Sequence, residues 1–152
     1  MDSRVREVLN KVASTVEFVG VKFGNVNATN AFGDNALHTV CSWGDVESAT
    51  MLIDAGIDID QFGDRGYTPL HAACVAGHFA VVELLVRKGA DLFAQSKGEL
   101  PLTTARVSGH DAIFDYLAPL MKSSLVERRN AYLKARIDQL RREVSELEAI
   151  LD

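Results

Sequence analysis

Two cysteines, three prolines and a single tryptophan in 152 residues set the first limits on this chain. Two cysteines are too few for the disulfide framework that holds small secreted domains together. No stretch reaches the roughly 20 apolar residues that a membrane-crossing helix needs. The opening MDSRVREVLNKVAS is charged and helical in pattern, unlike a secretory leader, so a reducing cytoplasm is the expected location. Metal and nucleotide patterns are also missing: there is no Cys-x-x-Cys, His-Glu-x-x-His or calcium loop, no Gly-x-Ser-x-Gly and no phosphate-binding loop. With no nucleophile–base constellation either, the chain is not expected to be an enzyme, and no metal or cofactor is expected.

What is present is a soluble-type composition, 47% hydrophobic, long enough for one ordinary core. The net charge of −5 is unevenly spread. Residues 1–121 hold nine basic against fifteen acidic side chains, whereas 122–152 hold seven against six. An acidic body disfavours nucleic acid and anionic membranes as direct partners and suits a basic protein.

The chain then repeats itself. Gly33 to Gly66, His38 to His71 and Gly44 to Gly77 are each 33 residues apart. The clearest unit, residues 63–94, reads GDRGYTPLHAACVAGHFAVVELLVRKGADLFA. Thr68 is a helix-cap residue and Pro69 suits a first helical position. Leu70, Ala73 and Cys74 share one helical face, Gly77 ends that helix, and Val81, Val82, Leu84, Leu85 and Val86 make a second, more apolar one. This series of Thr-Pro-Leu-His, Gly-His, Leu-Leu-Val and Gly-Ala-Asp closely resembles an ankyrin repeat. The resemblance implies an all-α solenoid of helix-turn-helix units joined by β-hairpin loops. Residues 30–62 form a first such unit, with Asn35-Ala36-Leu37-His38 in place of Thr-Pro-Leu-His. Residues 95–120 form a third, which keeps Gly98, Pro101-Leu102 and Gly109-His110 but arrives one residue early. It has Leu100 at the cap, Thr103 for the histidine, and Arg106 where Cys41 and Cys74 stand; a charge there marks the last layer of the stack.

Residues 1–29 do not match the unit. Val5, Val8, Leu9 and Val12 give an amphipathic helix, Thr15 to Phe23 favours extended chain, and the segment is expected to cap the first repeat. Pro119 is expected to stop the outer helix of the third unit. Ser124 to Glu127 then reads as a capping box opening a long charged helix over 121–152. Its seam of Val126, Asn130, Leu133, Ile137, Leu140, Val144, Leu147 and Leu151 alternates steps of four and three, a coiled-coil heptad. A parallel pair would set Arg129 against Lys134, Arg136 against Arg141 and Glu143 against Glu148. An antiparallel homodimer, with Arg136 near Glu143 of the other copy, is therefore expected. The alternative is a single tail folded back over the third repeat.

Histidines are the first suspects for chemistry, but His38, His71, His78 and His110 follow the repeat period, which implies structural roles. The paired acids, Asp58 with Asp60 and Asp45 with Glu47, fall in hairpins or at helix starts, where they serve as caps. In ankyrin repeats the hairpin tips and inner-helix ends form a concave partner-binding face. On this chain that implies Phe32, Asp34, Phe62, Asp64, Arg65, Tyr67, Lys97 and Glu99 at the tips, with Ser42, Trp43, Val75, Val107 and Ser108 on the inner helices and Trp43 pointing into the groove. Exposed Trp, Tyr, Phe and Arg together are a hot-spot composition. Two functions follow as expectations. One is a module holding a basic protein partner, as an inhibitor or immunity protein would; the other is an adaptor that dimerises through its tail.

Overall fold

The computed structural model describes the backbone of residues 1–151 and the side chains of residues 1–146. It divides into two compact units, Met1–Leu117 and Ala118–Asp152. Among the described residues the regular structure is helical, with two isolated β-bridges, Thr29 to Asn35 and Ser96 to Glu99.

The first unit is built by repetition of one local device. Asn35 and Thr68 stand in extended backbone directly before α2 (Ala36–Trp43) and α4 (Pro69–Ala76). Asn35 Oδ1 accepts the Leu37 amide at 3.1 Å, satisfying a donor that the helix start leaves unpaired. Both inner helices end in a left-handed glycine, Gly44 at φ 75° and Gly77 at φ 77°. These two glycines have a second reason to lack a side chain. A Cβ on Gly44 would lie 2.6 Å from His78 Nδ1, and one on Gly77 would meet the His110 ring as closely. The imidazole packed there reaches past the glycine: His78 Nε2 donates to Ser42 O and His110 Nε2 to Val75 O, both at 3.0 Å. The Gly-His pairs are thus cross-repeat links, as their period implied.

α3 (Val46–Asp54) and α5 (Phe79–Arg87) follow and pack on the inner helices before them. Asp45 opens α3 by accepting the Ser48 amide at 3.0 Å. α6 (Pro101–Val107) continues the inner row, so that α2 packs on α4 and α4 on α6, while α3 packs on α5. Leu37, Val40, Cys41, Leu70, Ala73, Cys74 and Ala105 are fully buried between the inner helices and their partners, with Leu52, Val81 and Leu85 closing the core from the outer row. Burial pushes the Cys74 thiol up to about 12 and raises that of Cys41 further, so both behave as small hydrophobes.

α1 (Ser3–Ala13) buries Val5, Val8, Leu9 and Val12, the four residues of its apolar stripe, against α2 and α3. The following Thr15–Phe23 segment forms no strand: Thr15 is extended, but Val16–Phe18 makes a 3-10 turn. Phe18 is buried and stacks on Phe23 with centroids 5.5 Å apart, while Val16 and Val19 face solvent. Its β-branched content favoured extended chain, but among the described residues there is no strand to pair with it.

Arg106 is exposed, with its guanidinium 4.8 Å from the Phe114 ring centroid. In the short third hairpin Lys97 (φ 48°) and Gly98 (φ 87°) form a two-residue loop closed by Ser96 N–H to Glu99 O at 2.9 Å and Glu99 N–H to Ser96 O at 2.7 Å. Two consecutive positive φ angles make this a primed hairpin turn, and it absorbs the missing residue. The expected stop at Pro119 is not found, because α7 runs from Asp111 to Leu151 with Pro119 and Ser124 inside it. A proline removes one helical hydrogen bond without always ending a helix. The boundary between the two compact units falls beside it, at Leu117–Ala118.

Candidate functional site: the hairpin-tip face

The surface between hairpin tips and inner-helix ends is held by hydrogen bonds that cross from each repeat to the next. His38 Nδ1 accepts the Asn35 amide at 3.1 Å, which fixes the proton on Nε2, and Nε2 donates to Tyr67 O at 3.0 Å. One repeat on, Thr68 N–H (3.2 Å) and its hydroxyl (2.9 Å) both reach His71 Nδ1, and His71 Nε2 faces Glu99 O at 3.4 Å. Burial holds both imidazoles below their ordinary titration range, so each is neutral and able to accept at one nitrogen while donating at the other. Asp64 N–H donates to Asp34 Oδ1 at 2.8 Å, and the Ser96 hydroxyl donates to Arg65 O. A second ladder runs beneath the hairpins. Asn27 Oδ1 accepts the Asp58 amide at 2.6 Å, and Asp60 Oδ1 accepts the Asp91 amide at 2.9 Å.

On this frame lies a shallow depression of about 250 Å3 lined by Glu17, Asp34, His38, Thr39, Ser42, Trp43, Asp64, Arg65, Tyr67 and Ala72. It brings together six of the residues named from sequence: Asp34, Ser42, Trp43, Asp64, Arg65 and Tyr67. Phe32 and Phe62, 64% and 52% exposed, stand outside it on the hairpin loops, as do Lys97 and Glu99 on the third. Trp43 is 38% exposed, and Lys11 of α1 lies 4.8 Å from its ring centroid, covering one face by a cation–π contact. Three carboxylates and one guanidinium make the rim acidic, with Arg65 and Asp64 3.6 Å apart. Farther along the inner-helix ends, Val75 and Val107 continue an exposed apolar row.

Two of the named residues carry structural duties as well. Asp34 takes the Asp64 amide and the Asn30 side-chain amide (3.1 Å), so its carboxylate is partly committed. Tyr67 lies flat on His71, with centroids 5.1 Å apart and planes 7° apart, and its hydroxyl is 3.5 Å from Glu99 Oε2. Sequence reasoning missed Glu17, Thr39 and Ala72. Thr39 and Ala72 could have been found, since each follows the period histidine directly and the two are 33 residues apart. Glu17 and Lys11 come from the N-terminal segment, where no repeat indexes them. Among the described residues no group of three or more His, Cys, Asp or Glu is placed to hold a metal, and no helix is long and apolar enough to cross a membrane.

Stacked helix pairs and hairpins tied tip to tip define a helical-repeat interaction module. The chain belongs to the ankyrin-repeat family: the family described as Ankyrin repeats (3 copies) matches residues 7–96 and 66–130. The match begins inside α1. Among curated proteins the chain is 36% identical over 114 residues to human SMC5-SMC6 complex localization factor protein 1, covering 73% of this chain and 11% of that one. It is 39% identical over 88 residues to tyrosine-protein kinase HTK16 of Hydra vulgaris, covering 56% of this chain and 12% of the kinase. It is 33% identical over 85 residues to mouse protein phosphatase 1 regulatory subunit 27, covering 55% of each. The chain thus spans about a tenth of the first two relatives and about half of the third.

Proposed function

We propose that the concave depression around Trp43 binds a basic segment of a protein partner, and that the chain acts through that partner rather than by catalysis. The supporting observation is the co-location of Trp43, Tyr67 and Arg65 with Glu17, Asp34 and Asp64 in one depression. Rigid aromatic area gives binding energy at low entropic cost, while the carboxylates steer and select a cationic side chain. Relatives named as a localization factor and a regulatory subunit support an accessory role of this kind. Inhibition of a basic protein, as by an immunity protein, is the specific form this takes when the partner's own active surface is covered. Two buried, unbridged thiols suit a reducing compartment, cytoplasmic or nuclear. The test is comparative capture from native lysate with wild type, Trp43→Ala and the outer-helix variant Glu83→Ala. Partners held by wild type and Glu83→Ala but lost by Trp43→Ala support the concave face, and the reverse pattern removes it.

A second reading is favoured by one observation, the exposed apolar seam of the C-terminal helix. A chain that self-associates there would bring two concave faces, and so two partners, together as an assembly adaptor.

A further inference from the structure

Val126, Leu133, Ile137, Leu140 and Val144 are each 42–53% exposed, and Asn130 is exposed with them. Leu147 and Leu151 lie outside the residues whose side chains are described. Ile137, Leu140, Arg141 and Val144 outline a hollow of about 310 Å3 on the helix surface, with Ser145 at its rim. Residues at i, i+3, i+4 and i+7 frame the four-sided hole that a partner helix fills with one knob.

The charges flanking this seam select the occupant. Residues 122–142 carry seven basic and two acidic side chains, and 143–152 carry four acidic and none basic. That order opposes the helix macrodipole, which favours acids early and bases late, and a reversed second copy relieves it. Parallel pairing is opposed at Arg129–Lys134, Arg136–Arg141 and Glu143–Glu148, each occurring twice, and favoured only at Lys122–Glu127. Among antiparallel registers, the one that sets Arg136 against Glu143 of the second copy also sets Lys134 against Arg141 and Glu127 against Glu148. Sliding by one heptad sets Arg129 against Glu143 and Glu127 against Arg141, each twice by symmetry. Its cost is one Lys134–Lys134 and one Arg136–Arg136 contact at the two-fold axis. Ile137 then layers on Leu133, Val144 on Val126 and Asn130 on Leu140.

We infer that residues 118–152 pair antiparallel with the same segment of a second copy, in the register centred on Ala135. This deepens the adaptor reading, on which it rests, and is independent of what the concave face binds. The register differs from the one expected from the Arg136–Glu143 contact alone, because that contact satisfies one flank of the seam and leaves the other repulsive.

Sedimentation equilibrium on the full chain and its charge variants tests it. Wild type is expected to be a dimer at tens of micromolar. Glu143→Arg turns two attractive contacts repulsive and should raise the dimer dissociation constant by about tenfold. Arg129→Glu with Glu143→Arg should restore it, and Arg136→Glu with Glu143→Arg should not. Dimerisation tightened by Glu143→Arg indicates parallel helices, and rescue by the Arg136 swap indicates the other register. Either overturns this pairing while leaving the adaptor reading. A full-length monomer at that concentration overturns both.

Discussion

Replacing His71 by alanine isolates what the period histidines do. The side chain is fully buried, takes both the amide and the hydroxyl of Thr68 at Nδ1, and reaches Glu99 O through Nε2. Its removal leaves the Thr68 amide buried without an acceptor, at a cost of about 1–3 kcal/mol. The emptied ring volume and the loss of Tyr67's stacking partner add a term of similar size. The sum is about 4 kcal/mol, or roughly 8–16 °C in melting temperature for a chain of this length. The third repeat supplies a control. There Thr103 Oγ1 accepts the Leu100 amide at 2.8 Å, showing that a hydroxyl at this position can do half of the histidine's work. His71→Thr should therefore cost about half as much as His71→Ala, keeping the acceptor but losing the reach to the next hairpin. Urea and thermal denaturation followed by circular dichroism measure both. Equal stability of all three proteins would refute the structural role, and equal loss in both variants would refute the division of labour between the two nitrogens.

Gly44→Ala should cost more than Gly56→Ala although both glycines have positive φ, 75° and 85°. The His78 ring crowds a Cβ at Gly44, whereas nothing lies within 4 Å of one at Gly56. The difference in unfolding free energy should exceed about 1 kcal/mol, and its absence would mean the ring moves aside freely. Stability should also fall in acid through the two buried histidines. Their folded titration lies below the ordinary 6.5, so the unfolded chain takes up protons first. The histidine contribution is complete above about pH 6.5 and declines as pH falls through that value toward the folded one. Melting temperature should drop between about pH 7.5 and about pH 5.5, less steeply in His71→Thr, and a flat profile would contradict this.

The repeats were legible because their determinants are local. Asn35 and Thr68 start helices, Gly44 and Gly77 end them, and each apolar face follows helical spacing, so distant structure only confirms what short range dictates. Thr15–Phe23 was misread because strand propensity describes residues suited to a paired surface, and no partner strand is present. Pro119 was misread because a proline weakens a helix by one hydrogen bond, and whether the helix survives depends on more than that residue. At the site, the aromatic and charged tip residues could be named, but not their commitments. Nothing in the sequence shows that Asp34 accepts the amide of the next hairpin, thirty residues on, or that Tyr67 lies on His71, four residues on, which the hairpin's closure sets. Tyr67→Ala should accordingly lose stability as well as binding, which leaves Trp43 as the cleaner probe.

Trp43 is the single tryptophan of the chain and lies in the proposed binding depression, so its fluorescence reports that surface directly. The partner segment captured by wild type, made as a tryptophan-free peptide, would be titrated against the full chain while calorimetry measures binding independently. A saturable blue shift of Trp43 emission at the calorimetric stoichiometry, weakening as salt is raised, is the expected result. Binding by calorimetry with Trp43 emission unchanged at every salt concentration would place the partner elsewhere and contradict the account.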